Sequence, residues 1–297
     1  MAIPTTIATQ AAVTPNGVRS EDAIGVFDSG VGGLSVLRAL RSELPLERFV
    51  YVADGGHAPY GERNDTHIID RSHAITRYLV EHHHIKALVV ACNTATAAAI
   101  HHLRQDFADL PIIGIEPALK PAAAQSHTKL IGVLATRGTL NSEKFRNLLA
   151  SVQDQTRFVL QPCDGLADAI ERDDAPKVIA LCRHFTGAMG RFGLNSGEMD
   201  TLVLGCTHYP FALEALRASV GDQVAFLEGG APVARQTRRL LEARNGLVVA
   251  SASEVHARPT LFGTTGNRDH LQAAVARWLQ LQVTVQSLVI EPQWPQK

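Results

Sequence analysis

Two cysteines stand out by what surrounds them. Val90-Ala91-Cys92-Asn93-Thr94 and Leu204-Gly205-Cys206-Thr207-His208 each run from an apolar stretch through a thiol into short hydrogen-bonding side chains. A thiol at a strand end with a helix starting behind it meets free backbone N–H groups and the positive end of the helix dipole, which predicts a lowered pKa. His208 can orient Cys206 or exchange a proton with it. Two thiols facing one another across a cleft suit one reaction in particular. One thiolate takes a proton from a carbon, and the other thiol returns one to the opposite face, inverting the centre by general acid–base catalysis. A hydrolase with a single nucleophile has no need of the second thiol.

Cys163 and Cys182 lie in bland surroundings and read as small core hydrophobes. No CxxC pair exists, so no structural zinc site is expected. The histidine groups His82–His84 and His101–His102 lack a companion ligand at a recognisable spacing and read as solvated helix ends; no metal is expected.

A third candidate is Phe27-Asp28-Ser29-Gly30-Val31-Gly32-Gly33-Leu34-Ser35, which follows a strand and opens a helix. It has the look of a dinucleotide loop, with Asp54 at the end of the next strand. However, Ser35 stands where the third glycine belongs, and Asp28 would set a negative charge beside a pyrophosphate. The glycines fit a backbone lying close to a smaller ligand. Asp28 could bind an ammonium group, act on a nearby thiol, or simply sit at a helix N-terminus. The Pro- and Gly-shaped loop from Asp54 to Arg63 offers the Tyr60 and Gly61 N–H groups to a carboxylate.

The elements that must position these residues alternate along the chain. Short apolar, β-branched runs at Ile24–Phe27, Phe49–Ala53, Ala87–Ala91, Ile112–Ile115, Leu130–Leu134, Arg157–Leu160, Thr201–Leu204, Val224–Leu227 and Pro259–Phe262 read as strands buried on both faces of parallel sheets. Amphipathic helices fall between them. Asp65–His83 is the clearest, and Val233–Leu240 is another. The class is α/β. An internal echo runs through the chain: Ile24-Gly-Val-Phe matches Ile131-Gly-Val-Leu, and Leu88-Val-Val-Ala-Cys matches Leu202-Val-Leu-Gly-Cys, in the same order and at similar separation. This predicts two similar doubly wound domains. Each cysteine would stand beyond the carboxyl end of a strand, where ligands bind in open α/β sheets.

Composition narrows the partners. The chain has 297 residues, enough for about two domains. Lys+Arg 28 against Asp+Glu 29 gives a net charge of −1, without the basic excess of a nucleic-acid binder. No apolar run reaches the ~20 residues of a membrane span, so no membrane partner is expected. Residues 1–22 lack the features of a targeting signal and are expected to form a flexible tail. That points to a reducing, cytoplasmic setting with free thiols.

The chain resembles the bacterial glutamate racemases of the aspartate/glutamate racemase superfamily. The resemblance rests on Asp28-Ser-Gly-Val-Gly-Gly-Leu-Ser-Val36, Ala58-Pro-Tyr-Gly61, Ala91-Cys-Asn-Thr-Ala-Thr96, Gly114-Ile-Glu-Pro-Ala-Leu-Lys-Pro121 and Leu204-Gly-Cys-Thr-His-Tyr-Pro210. Leu134-Ala-Thr-Arg-Gly-Thr139 and Thr264-Thr-Gly266 also fit, and together the segments span roughly residues 23–270. The resemblance implies cofactor-independent 1,1-proton transfer between L- and D-glutamate, supplying D-glutamate for peptidoglycan precursors. It implies that Cys92 abstracts the α-proton of D-glutamate and Cys206 that of L-glutamate, with Asp28 and His208 as auxiliary acid–base residues. Asp28, Ser29, Tyr60, Gly61, Asn93, Thr94, Thr136, Thr207 and His208 match the substrate contacts. It also implies a homodimer and a discontinuous first domain, 23–115 plus 229–280, around a second, 116–228, with a C-terminal tail over 281–297. Two departures are Gly55, where the family usually has a small hydroxyl residue, and Glu228, where it often has aspartate. A racemase of another acidic amino acid, such as aspartate, is the alternative; a binding protein on the same scaffold would be expected to lose a cysteine or Asp28.

Overall fold

The computed structural model describes residues 19–153, 156–249 and 259–291. The expected N-terminal tail falls largely on residues 1–18, outside the described residues. The strands are β1 (Ile24–Asp28), β2 (Phe49–Ala53), β3 (Ala87–Val90), β4 (Ile112–Gly114), β5 (Leu130–Ala135), β6 (Arg157–Pro162), β7 (Thr201–Gly205), β8 (Ala225–Glu228), β9 (Thr260–Thr264) and β10 (Val285–Ser287). The helices are α1 (Leu34–Glu43), α2 (Asp65–His83), α3 (Asn93–Asp106), α4 (Leu119–Gln125), α5 (Arg137–Asn141), α6 (Glu143–Ala150), α7 (Leu166–Glu171), α8 (Ala175–Met189), α9 (Leu213–Val220), α10 (Gly230–Glu242) and α11 (Arg268–Leu279).

Two parallel sheets result. One has the order β10-β9-β2-β1-β3-β4 and the other β6-β5-β7-β8. The order β2-β1-β3-β4 repeats in β6-β5-β7-β8, so the sequence echo is a structural duplication. The register agrees as well: Ile24 pairs with Ala87 and Ile131 with Thr201. Each cysteine lies five residues beyond its pairing residue, Cys92 past Ala87 and Cys206 past Thr201.

Alternation along the strands divides the cores. Ile24 and Val26 join α1, α10 and α11 on one face of the first sheet, while Phe27 joins Ile68 and Ile75 of α2 on the other. In the second sheet, Leu134 and Leu202 pack on α7, α8 and α9, and Ile131 and Val133 pack on Phe145 of α6. Each such aliphatic side chain contributes about 1.5–3 kcal/mol by leaving water. Asn64 caps α2 by accepting from the His67 N–H, and Ser72 and Thr76 return their hydroxyls to the backbone one turn earlier, so polar residues can stand inside a buried helix. After β8 the chain returns to the first sheet. Helix α10 buries Val233, Ala234, Thr237 and Leu241, and its Arg238 Nε lies 2.6 Å from Glu43 Oε1 of α1. Glu228 accepts from the Gly230 N–H at 2.5 Å, which satisfies one free donor at the start of α10.

The expected C-terminal tail is corrected. Val285–Ser287 form β10, which pairs with β9 through Val285 and Phe262, and Ile290 is buried. Its backbone oxygen accepts from Arg71 Nη1 at 2.6 Å. A three-residue edge strand is too short to announce itself by periodicity, and its anchor is an arginine more than two hundred residues away.

Candidate active site

Cys92 stands just past β3 as the N-cap of α3, and its Sγ accepts from the Ala95 N–H at 3.4 Å. Cys206 follows β7, before a short 3-10 turn (Tyr209–Ala212) that carries Pro210 in its first turn. Both thiols line one cavity of about 240 Å³ between the two sheets. Ser29, Tyr60, Gly61, Asn93 and Thr94 share its wall from the first-sheet side; Thr136, Thr207 and His208 do so from the second. Asp28 is not in the wall. It is fully buried behind it, accepting from the Ser29 N–H at 2.7 Å and from the Thr207 hydroxyl at 3.4 Å. The Gly33 N–H also donates to it. Thr94 Oγ1 and Thr136 Oγ1 stand 3.4 Å apart across the cleft. A larger groove of about 840 Å³ opens alongside, between α3 and α6, but no cysteine lines it.

The two thiols have different neighbours. Ser29 Oγ is 3.8 Å from Cys92 Sγ and donates to Asp28 Oδ1 at 3.3 Å. Cys206 Sγ is 3.7 Å from His208 Nδ1, and His208 Nε2 is 2.6 Å from Glu171 Oε2 of α7. Burial alone would lower the pKa of His208. Its hydrogen bonds to Cys206 and Glu171 outweigh that and hold the imidazole well above its ordinary range. Glu171 stays ionised: burial raises its carboxyl, but the short bond from His208 and the neighbouring His270 imidazole override it. Cys206 therefore has an imidazolium beside it, and Cys92 has a hydroxyl backed by a carboxyl group. Burial raises the pKa of Asp28 from its ordinary value, and the nearby His208 charge opposes that rise.

The expected lowering of the Cys92 pKa is overturned. Burial, then the Asp28 charge, push it up, and the one N–H from Ala95 does not compensate. A helix N-terminus is worth about 0.3–1 kcal/mol, less than the cost of desolvating a thiolate. Cys163 also needs correction. It is buried as expected, yet it lines the cavity. Its thiol donates to the Gln161 carbonyl at 3.4 Å and burial pushes it up, so it is not poised as a third base. Cys182 is a core residue whose thiol is pushed up to about 11 by burial.

Glu171 was not legible as a site residue. It lies at the end of a short helix among other acidic and basic residues, and only the fold brings it to His208. The glycine loop also has a different purpose from the one expected. A Cβ on Gly30 would lie 2.5 Å from Glu171 Oε2, and one on Gly32 would lie 2.4 Å from His208 Nδ1 and 2.7 Å from Thr207 Oγ1. The glycines make room for side chains arriving from the second sheet rather than for ligand alone. Gly32→Ala is therefore expected to displace His208, which Glu171 prevents from swinging away. The expected result is a loss of activity of about 10²-fold, the usual cost of misplacing a reacting group by an ångström. Gly187→Ala on α8, where a Cβ meets nothing within 4 Å, should leave activity unchanged. Steady-state rates of the two variants check this.

Opposite the thiols, a buried network shapes the Asp54–Arg63 loop. Tyr60 donates its hydroxyl to Asp54 Oδ2 at 2.7 Å, Arg71 donates Nε and Nη2 to both Asp54 oxygens, and Thr265 donates to Oδ1 at 2.7 Å. The Asn93 amide oxygen is buried within the cavity wall with no hydrogen-bond partner among the described residues. Among the described residues, no group of three or more His, Cys, Asp or Glu side chains is arranged to hold a metal ion.

A duplicated α/β frame with a thiol at the same place in each half defines a racemase-type site, and the comparisons agree. The chain belongs to the Asp/Glu/hydantoin racemase family, whose model matches residues 32–237. It is 48% identical over 263 residues to a glutamate racemase from Ralstonia pickettii, covering 88% of this chain and 89% of that one. Among solved structures it is similar to a glutamate racemase isoform from Bacillus anthracis, with a TM-score of 0.78 and 29% identity over 92% of this chain and 99% of that chain. It is likewise similar to Escherichia coli glutamate racemase in complex with L-glutamate, with a TM-score of 0.76 and 29% identity over 91% and 99% of the two chains.

Proposed function

We propose that the chain interconverts L- and D-glutamate by cofactor-independent transfer of the α-proton between two thiols. The observation that carries this reading is the pairing of Cys92 and Cys206, set at equivalent register positions and opening into one 240 Å³ cavity. Cys92 takes the α-proton of D-glutamate and Cys206 that of L-glutamate. Asp28, through Ser29, serves Cys92 as proton store, and His208 serves Cys206. The unpartnered Asn93 oxygen, the Thr94, Thr136 and Thr207 hydroxyls, and the N–H groups of Tyr60 and Gly61 bind the ammonium and carboxylate groups. A bound ammonium group also places positive charge near a thiol that burial keeps protonated, and so favours its anion.

The resemblance supports three further points. The enzyme works as a homodimer, which light scattering of the full chain would test. It acts in the cytoplasm and supplies D-glutamate for peptidoglycan precursors; no helix among the described residues is long and apolar enough to cross a membrane. Its domains are 23–115 plus 229 onward, and 116–228, with the first now reaching through β10.

The test is incubation of dialysed, chelator-treated protein with each glutamate enantiomer in D₂O. Deuterium should enter the α-carbon of the product enantiomer before that of the remaining substrate, because each face has its own base. Exchange with aspartate in preference to glutamate would favour the alternative substrate. Activity that returns only with added pyridoxal phosphate or metal would overturn the mechanism.

A further inference from the structure

The geometry points to His270 as a positioning residue for the Cys206 half of the reaction, acting from the opposite domain through Glu171. This rests on the glutamate racemase reading. His270 stands in the first turn of α11, where Asn267 accepts from its backbone N–H at 2.9 Å. Helix α11 belongs to the first sheet's core, whereas Glu171 and His208 belong to the second half of the chain. His270 Nε2 is 3.5 Å from Glu171 Oε1, while Glu171 Oε2 holds His208 Nε2 at 2.6 Å. The two carboxylate oxygens are thus divided between two imidazoles, and the Val31 N–H bonds to both from the glycine loop.

The Nε2 atom of His270 is enclosed and has no hydrogen-bond partner among the described residues, although the side chain as a whole is 39% exposed. A buried donor left short of an acceptor is costly, and Glu171 Oε1 is the acceptor it faces. A small approach of α11 to α7 completes that bond. The approach turns the carboxylate so that Oε2 stays on His208, and His208 in turn stays on Cys206. Asp173 and Arg277 are the other charged groups beside His270, and they pair with each other. Glu171 holds the His270 imidazole above its ordinary range, as expected of a donor to a carboxylate. Cys92 has no member in this chain of contacts, so the effect of His270 is one-sided.

The experiment uses elimination from a β-substituted glutamate analogue. A thiolate removes the α-proton, the C–H electron pair forms the double bond, and the leaving group departs with the C–X pair; a single deprotonation suffices. His270→Phe keeps the ring's bulk and loses the donor. It should lower elimination from the L-analogue by about tenfold, the scale of one charge-assisted hydrogen bond, and change that from the D-analogue by less than about twofold. His270→Gln places an amide N–H near the position of Nε2 and should recover most of the loss. Equal effects on both enantiomers, no effect on either, or a Gln variant as impaired as the Phe variant would overturn the assignment. Wild-type protein inert toward both enantiomers would instead overturn the racemase reading on which it stands.

Discussion

Cys92→Ser should abolish elimination from a β-substituted D-glutamate analogue while sparing the L-analogue, and Cys206→Ser should do the reverse. In the proposed mechanism each thiol faces one side of the α-carbon, so each serves one enantiomer. Racemisation needs both and should fall by about 10³-fold or more in either variant, equivalent to about 4 kcal/mol of barrier. The cause is acidity: a hydroxyl is a far weaker acid than a thiol, and burial already raises the pKa of Cys92. Cys163→Ser is the demanding control, because Cys163 lines the same cavity. Its thiol is tied to the Gln161 carbonyl, and a serine hydroxyl can make the same bond, so both activities should survive. Were Cys163→Ser as damaging as Cys92→Ser in a folded protein, the two-thiol assignment would be wrong.

The second large effect concerns stability. Arg71→Met should destabilise the protein by about 3–5 kcal/mol, because it leaves the Asp54 carboxylate buried without its cation. Arg71 is 2% exposed and Asp54 is 0% exposed. Burial alone would raise the pKa of Asp54, but the hydrogen bonds and charge of Arg71 override it and hold the carboxyl below its ordinary range. That pair's stabilisation is therefore complete above about pH 4 and is lost as the pH falls through the lower, folded-state value. In Arg71→Met the sign reverses. A buried carboxyl with a raised pKa favours its neutral form, so the variant loses stability as the pH rises above about 4. Urea unfolding of both proteins between pH 4 and 7 reads the two slopes. Adding Asp54→Asn should recover part of the loss, because no charge is then stranded. The Tyr60 hydroxyl also loses a fixed acceptor, so weaker glutamate binding is expected as well.

Much of the frame was legible because parallel strands buried on both faces are written as short apolar runs. All nine expected strands are present within two residues of their bounds, and Asp65–His83 is a helix with those bounds. The duplication was legible because β1 and β5 each set a glycine where a Cβ would press on an apolar side chain: one on Gly25 would lie 2.9 Å from Ile85, and one on Gly132 would lie 2.7 Å from Leu202. The thiols, Asp28 and His208 were legible because they stand at or just beyond strand ends. What escaped depends on contacts between distant segments. Glu171 reaches His208 only once α7 packs beside the 3-10 turn, and Arg71 meets Asp54 and Ile290 from the middle of a helix. The direction of the Cys92 pKa shift escaped for a related reason: the helix start can be read locally, but the depth of burial cannot.

The repeated strand order and register have a consequence for the reaction as a whole. Reactant and product are mirror images with equal free energy, so kcat/KM in the two directions must be equal whatever the protein does. The two halves share strand order and register, so the scaffold privileges neither thiol's place. Ser29 and Asp28 beside Cys92, with His208 and Glu171 beside Cys206, break that symmetry in the side chains around the thiols. Such a difference cannot make the enzyme favour one enantiomer at equilibrium. It can only trade turnover against affinity, giving each hand of the amino acid its own kcat and a KM changed in the same proportion.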